Sequence, residues 1–338
     1  MDFRPSEDQA TLAEGVRDFL AGTHGPEVLR ALDADATGRS PGIAASLREM
    51  GLPGLAVPED QGGLGLSLLD AVLIAMECGR AALAEPLADT AFVAAPLLAR
   101  AGGHKSLLQA IASGEASLAL QHPANPWVAD LAQATHILSA QGDSVVLASV
   151  GSDAAPCESV DPLRRLSRPV AVEGEPTGIA PGDLLDVAAL MSAAQALGVA
   201  DAMLKISTEY ACTRQQFGQP IGAFQAIKHH LASSAVAIEF ARPVVYRAAQ
   251  ALDEASVNAS VHISHAKIAA CDAATAMAET AIQVHGAMGY TYEVDLHFWM
   301  KRSWALAGAW GDRAFHAERV QQAVIGGTMP IGPAETFS

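Results

Sequence analysis

From Leu184 to Gly326 the sequence runs in helical segments so long that few folds other than a helical bundle can hold them. LLDVAALMSAAQALGVADAMLKISTEYACT is followed by AIKHHLASSAVAIEFARPVVYRAAQALDEA and then by NASVHISHAKIAACDAATAMAETAIQVHG. Alanine is the dominant residue, and small side chains let helix axes approach closely. The last segment, from WMKRSWALAGAW to RVQQAVIGG, is broken at Gly311-Asp312, where Gly-Asp before RAFHAERV is an N-cap signature. The apolar composition of WMKRSWALAGAW predicts burial against another subunit.

The first third is also helical. SEDQATLAEGVRDFL opens on Ser6 as an N-cap with acids in the first turn, and PGIAASLREM ends at Gly51. LLDAVLIAMECGRAALAEPL, from Leu68, reads as one long buried helix interrupted by Pro86. TAFVAAPLLARAG and HKSLLQAIASG follow, each closed by glycine. Near Ser117 the texture changes: SLAL, HILSA, SVVLAS and RPVAVE alternate with turn residues as strands do. The expected fold is mainly α with a small β domain: an N-terminal helical domain over 1–116, a short middle β domain over 117–181, and a C-terminal four-helix bundle over 182–338.

Charge narrows the function. A net charge of −16 argues against nucleic acid or an anionic membrane as partner. The N-terminus carries acids where a secretory signal has basic residues and an apolar run, and no uninterrupted apolar stretch reaches spanning length. Cys78, Cys157, Cys212 and Cys271 are dispersed and read as buried thiols in a reducing compartment, so a cytoplasmic protein is expected. No metal site is expected, because His229-His230 has no carboxylate or histidine at ligand spacing.

Three motifs carry chemistry: EMGLPGLAVPEDQGGLGLSLLDAVLIAMECGR, TRQQFGQPIGAFQAIKHHLA and IQVHGAMGYTYE. In this order, and within a helical frame, they resemble the acyl-CoA dehydrogenase family over essentially the whole chain. The second matches the family's Arg-x-x-Phe-Gly loop. The third matches its Gln-x-x-Gly-Gly-x-Gly-Tyr element, with Ala287 at the second glycine. The resemblance implies FAD at a subunit interface, a homo- or hetero-oligomer, an acyl-CoA substrate desaturated at its α,β bond, and electrons passed to an electron-transfer flavoprotein. It assigns Arg214 to the FAD pyrophosphate, which guanidinium geometry suits. Phe217 falls near the adenine, Gln225 and Gln283 supply polar contacts, and Gly286 and Gly289 allow close backbone approach. The plainer reading of the same loop is a helix connection bearing a surface arginine.

Two departures stand out. Family chemistry needs a carboxylate base over the substrate α-carbon, and the position of the usual glutamate is Trp310. Asp312 lies two residues on and is open to three roles: displaced base, contact to a cofactor hydroxyl, or helix cap. The alternative family position for the base falls near Ala188, where Asp186 is the sole nearby carboxylate. The middle domain is short, and QHPANPWVAD replaces the family's polar flavin-facing segment. Its candidates are Gln121, His122 and Trp127, with His122 read as a solvated loop residue. Arg164, Arg165 and Arg168 read as a solvated turn or a CoA phosphate contact, and Tyr246, Trp299 and Trp304 as core or interface anchors. His285 is read as filling space beside the dinucleotide. The implied possibilities are a complete dehydrogenase with an unusual base, a partner subunit lacking the base, and a flavin-free helical binding module.

Overall fold

The computed structural model describes residues 4–151 and 154–332. Six helices come first: α1 (Glu7–Thr23), α2 (Pro26–Ala34), α3 (Pro41–Glu49), α4 (Leu68–Arg80), α5 (Ala95–Ala101) and α6 (Lys105–Ala112). Ser6 and Ser67 start α1 and α4 with reciprocal capping boxes to Gln9 and Asp70. Helix α4 is shorter than expected, because Ala82 takes a left-handed conformation (φ +49°) ahead of Pro86. Residues Ala88–Ala94 then form π-helical turns leading into α5. Pro96 lacks an N–H, which removes one regular helical bond at that junction.

Among the described residues nine short strands follow or interrupt the helices. In the middle region β1 (Leu118–Gln121) pairs in parallel with β3 (His136–Gln141), after β2 (Val128–Ala129). β3 turns through Gly142-Asp143 into antiparallel β4 (Ser144–Ser149). β5 (Pro156–Cys157), β6 (Leu166–Ser167) and β7 (Glu175–Pro176) complete two sheets, ordered β1-β3-β4-β7 and β2-β6-β5. RPVAVE is not a strand. Pro169 has no N–H, and side chains replace the ladder: Gln121 exchanges two hydrogen bonds with the Val170 backbone, and Gln141 Nε2 donates to the Val172 carbonyl. The separate core under these sheets is only Ala119, Val128, Leu131 and Ile137. Fixed position therefore comes from docking onto the helices, through the buried pairs Arg302–Asp161 and Arg39–Asp130.

The bundle comprises α7 (Pro181–Thr213), α8 (Gln225–Asp253), α9 (Ala259–His285) and α10 (Leu296–Gly308), with α11 (Arg313–Ile325) against α9. Between α7 and α8 a hairpin, β8 (Gln215–Gln216) and β9 (Gln219–Pro220), projects from the end of the bundle. Helix α7 is long and apolar enough to cross a bilayer, yet 83% of its most apolar window is buried among α4, α8, α9 and α10. At the α4–α7 crossing, Gly198 lies against the Met76 carbonyl and Gly79 against the Gln195 carbonyl. A Cβ at either glycine would come within 1.8 and 2.1 Å of those oxygens.

Helix α10 departs from the expectation of an intermolecular apolar face. Trp299 and Met300 are buried within the chain, and Trp299 Nε1 donates to the Arg80 carbonyl at 2.8 Å while Arg302 Nη1 donates to Leu83. These bonds satisfy carbonyls at and beyond the end of α4. Of this segment's tryptophans only Trp304 is partly exposed. Exposed apolar side chains lie instead on α8, at Val236 and Phe240, and at Phe217 on the hairpin. The cysteines also split: Cys78 and Cys271 are buried, whereas Cys157 is half-buried and Cys212 exposed.

Candidate functional site

The residues singled out by sequence form two groups at different places in the fold. The first surrounds Trp310, in the turn between α10 and α11. Its backbone is left-handed (φ +57°), and Gly311 follows at φ +88°, where a Cβ would meet the Phe315 ring at 2.4 Å. Three elements hold this turn. Trp310 N–H donates to Asn125 Oδ1 and Gly311 N–H to the Ala124 carbonyl, both at 3.3 Å. The Trp310 carbonyl meets His316 Nε2 at 2.9 Å. Because a carbonyl only accepts, Nε2 carries the proton, and Nδ1 accepts from Ser264 Oγ at 3.1 Å. Arg319 in turn donates to Ser264 and to Asp186. His316 is fully buried, and burial pulls its pKa down to about 4.

This arrangement closes the crevice between the middle sheets and the bundle. What remains is a space of about 50 Å³, lined by Trp310, Ala188, Met191, Glu85, Asp89 and Arg164 among others. That is room for a few water molecules, far less than a three-ring flavin needs. Burial raises the pKa of both Glu85 and Asp89 and lowers that of Arg164. The candidate carboxylates are otherwise engaged. Asp312 Oδ1 accepts the Phe315 N–H at 2.9 Å as the N-cap of α11. Asp186 is paired with Arg319 at 2.8 Å and accepts from Ser260.

Two sequence readings are corrected here. His122 is a half-buried packing residue, not a solvated one: Nδ1 accepts from Ala124 N–H at 3.0 Å, and its ring centroid is 6.5 Å from that of Trp310. Arg164 and Arg165 turn inward, Arg164 to the Ala305 carbonyl and Arg165 to those of Leu32 and Asp35, leaving only Arg168 exposed. Gln121 staples the sheet as described, while Trp127 stays largely exposed. Asn125, Lys267, Arg302 and His316 were missed. Lys267 is fully buried and donates to the Leu306 carbonyl at 2.6 Å, capping α10 just before the Trp310 turn. A single lysine inside apolar HISHAKIAAC was the available signal.

The second group gathers at the opposite end of α7, around the β8–β9 hairpin. Arg214, Phe217, Gln225, Gln283 and Gly286 are all exposed. Phe217 is 91% exposed, held edge-on to Phe224 at 6.1 Å. Helix α8 begins at Gln225 with no side-chain cap and no acid in its first turn, which leaves free N–H groups and a positive field. Gly286 has φ +61° and ψ −137°, and no atom lies within 4 Å of where its Cβ would be. Gly289 is different: a Cβ there would meet the Ile282 carbonyl at 2.8 Å, so the chain's own packing requires this glycine. A cation, an uncapped helix start and open backbone suit the pyrophosphate and adenosine of FAD presented from outside the chain. The closed crevice does not suit its flavin ring. Among the described residues no three His, Cys, Asp or Glu side chains gather as metal ligands, and His229 and His230 are exposed on α8.

Residues 6–115 match the acyl-CoA dehydrogenase N-terminal domain and residues 180–325 its C-terminal domain. Acyl-CoA dehydrogenase IpdE2 of Mycobacterium tuberculosis is 36% identical over 88% of this chain and 92% of its own length. Acyl-CoA dehydrogenase FadE34 of the same organism is 34% identical over 82% of this chain and 41% of its own length. In fold, the chain superposes on a chain of the Tcur3481–Tcur3483 steroid ACAD G363A variant with a TM-score of 0.86 (23% identity, 96% and 99% coverage). For the ChsE4–ChsE5 complex from M. tuberculosis the score is 0.85 (22% identity, 98% and 100% coverage).

Proposed function

The chain belongs to the acyl-CoA dehydrogenase family, and from that premise we propose that it is the base-free subunit of a heteromeric acyl-CoA dehydrogenase. In this reading the exposed end of the bundle completes an FAD site whose flavin ring and acyl-CoA lie in a partner that carries the carboxylate base. Bound FAD supplies the hydride acceptor for α,β-desaturation, and an electron-transfer flavoprotein takes the electrons onward. Arg214 pairs with the pyrophosphate, Gln225 and Gln283 contact the dinucleotide, Phe217 packs at its adenine end, and the Gly286 backbone lies against it.

The observation that carries this reading is the Trp310-Gly311 turn held to Asn125 and Ala124 by its two backbone N–H groups. An indole cannot accept the α-proton, and the two contacts close the space a substrate would use. The similar folds of the Tcur3481–Tcur3483 protein and the ChsE4–ChsE5 complex, both two-component, support a heteromer. The first of these is a steroid ACAD, which makes a bulky acyl-CoA the substrate class to assay first. A self-sufficient enzyme using Asp312 is less well supported, because that carboxylate is the cap of α11. The exposed apolar residues of α8 and the hairpin are the expected subunit contact.

Co-expression with a longer family member from the same genome tests the proposal. The expected product is a yellow complex with acyl-CoA-dependent flavin bleaching, and the isolated chain is expected to be inactive. A yellow isolated chain, rapidly bleached by an acyl-CoA, would overturn it.

A further inference from the structure

A second, larger hollow lies apart from both the crevice and the hairpin end of the bundle. It is a groove of about 860 Å³ between α1, the C-terminal half of α7, the end of α4 and the start of α10. None of the crevice residues lines it, and neither do Arg214, Phe217, Gln225, Gln283, Gly286 or Gly289. Its apolar wall is Leu20, Ala81, Ala202, Ile206, Leu296 and Trp299. A groove of this size and lining suits a drug-sized molecule.

The polar groups define what that molecule must be. Arg17 is paired with Glu77 at 2.8 Å, and Arg80 with Glu77 and Asp201 at 2.9 and 2.7 Å. Asp295 is paired with Arg30 at 2.7 Å. The inner charges are thus neutralised within the chain; at the exposed mouth Lys205 lies 4.0 Å from Glu209, and Asp18 is solvated. His24 also lines the groove, buried with neither ring nitrogen hydrogen-bonded, and burial pulls its pKa down to about 4, so it too is neutral and nothing inside calls for a charged ligand.

At the far end, His285 stacks on Tyr210 with centroids 4.2 Å apart. His285 is 95% buried (5% exposed) and its Nδ1 lies 2.8 Å from the Ala281 carbonyl, so Nδ1 must donate. Burial lowers its pKa and keeps the ring neutral. Nε2 is therefore a lone-pair acceptor in the wall of the groove. Among the described residues neither it nor the Tyr210 hydroxyl has a hydrogen-bond partner.

We propose that this groove is a second small-molecule site, which takes a neutral, apolar compound bearing one O–H or N–H donor directed at His285 Nε2. Occupancy is linked to the cofactor-facing end, since His285 immediately precedes Gly286 and any ligand that holds the ring also holds that turn.

The probe is N-phenyl-1-naphthylamine, a neutral fluorophore with one N–H, titrated into the purified full-length chain. Saturable binding is expected, and the N-methyl analogue, which lacks the donor, should bind roughly fivefold to tenfold more weakly. Ala21→Trp, at an exposed position on the groove's rim, and Ile206→Trp should each abolish binding by filling the space. His285→Leu should keep binding but erase the preference between the two probes. Four outcomes overturn the proposal: no saturable binding, binding unaffected by both tryptophans, a preference that survives His285→Leu, or loss of the probe site in the heteromer. The last assigns the groove to protein contact.

Discussion

Trp310 occupies a backbone conformation that costs a non-glycine residue about 1–2 kcal/mol, so the surrounding hydrogen bonds must outweigh that cost. His316 is central because Nε2 donates to the Trp310 carbonyl while Nδ1, as long as it is unprotonated, accepts from Ser264. In the unfolded chain an imidazole titrates near 6.5, whereas the folded His316 does so at about 4. The unfolded state binds more protons across that window, so stability is complete above about pH 6.5 and falls as pH drops toward 4. His24, also buried and depressed to about 4, adds a loss of the same sign. Urea midpoints between pH 7 and 4 check this, and His316→Gln should give a shallower slope than wild type. Asp312 separates two roles by substitution. As a cap, Asp312→Ala should cost about 0.5–2 kcal/mol in a urea melt while Asp312→Asn is nearly neutral. As a base, Asp312→Asn would abolish flavin bleaching by the assembled enzyme.

Among the elements, the α4–α7 crossing depends on two glycines against two carbonyls. Gly198→Ala inserts a methyl where no room exists and should lower stability by about 1–3 kcal/mol or more. Gly15→Ala on exposed α1 meets nothing within 4 Å and should raise stability by about 0.5–1 kcal/mol. Comparing the two urea midpoints tests whether the crossing sets the cost. The bundle was readable because helical period and alanine content persist over some thirty residues in α7, and the break at Gly311-Asp312 was readable as cap chemistry. The middle sheets were less so. RPVAVE has strand composition, but glutamine side chains took the place of a ladder. The crevice was half legible: a tryptophan at the base position was visible, whereas its closure by Asn125 and Ala124 depends on a contact across 185 residues of chain. Arg164 and Arg165 read as a solvated turn because their acceptors, the Ala305, Leu32 and Asp35 carbonyls, also lie more than a hundred residues away in sequence.

For the whole molecule, an open hairpin end, proposed to meet FAD, and one closed crevice imply a stoichiometry. A heteromer built as proposed should hold one FAD for each pair of unlike chains, measured by released flavin absorbance against protein. Two FADs per pair would require the crevice beside Trp310 to open. Arg214→Ala removes a charge-assisted phosphate contact, on the order of 1.5–3 kcal/mol, and should reduce FAD retention in the complex while leaving subunit assembly intact. Unchanged retention in an intact complex would place the pyrophosphate elsewhere.

The Trp310 turn also bears on how such a chain can change over time. Trp310→Glu would restore the side chain that the reaction needs, but the turn would still be left-handed and still bonded to Asn125 and Ala124, with a carboxylate facing about 50 Å³ of space. That single step lowers stability and yields no turnover, so selection has nothing to favour. Recovery would need the loop at Ala124 and the turn at Gly311 to move together. In the proposed heteromer, loss of the base would thereby act as a ratchet: substitutions that stabilise the fold would keep the chain dependent on its partner.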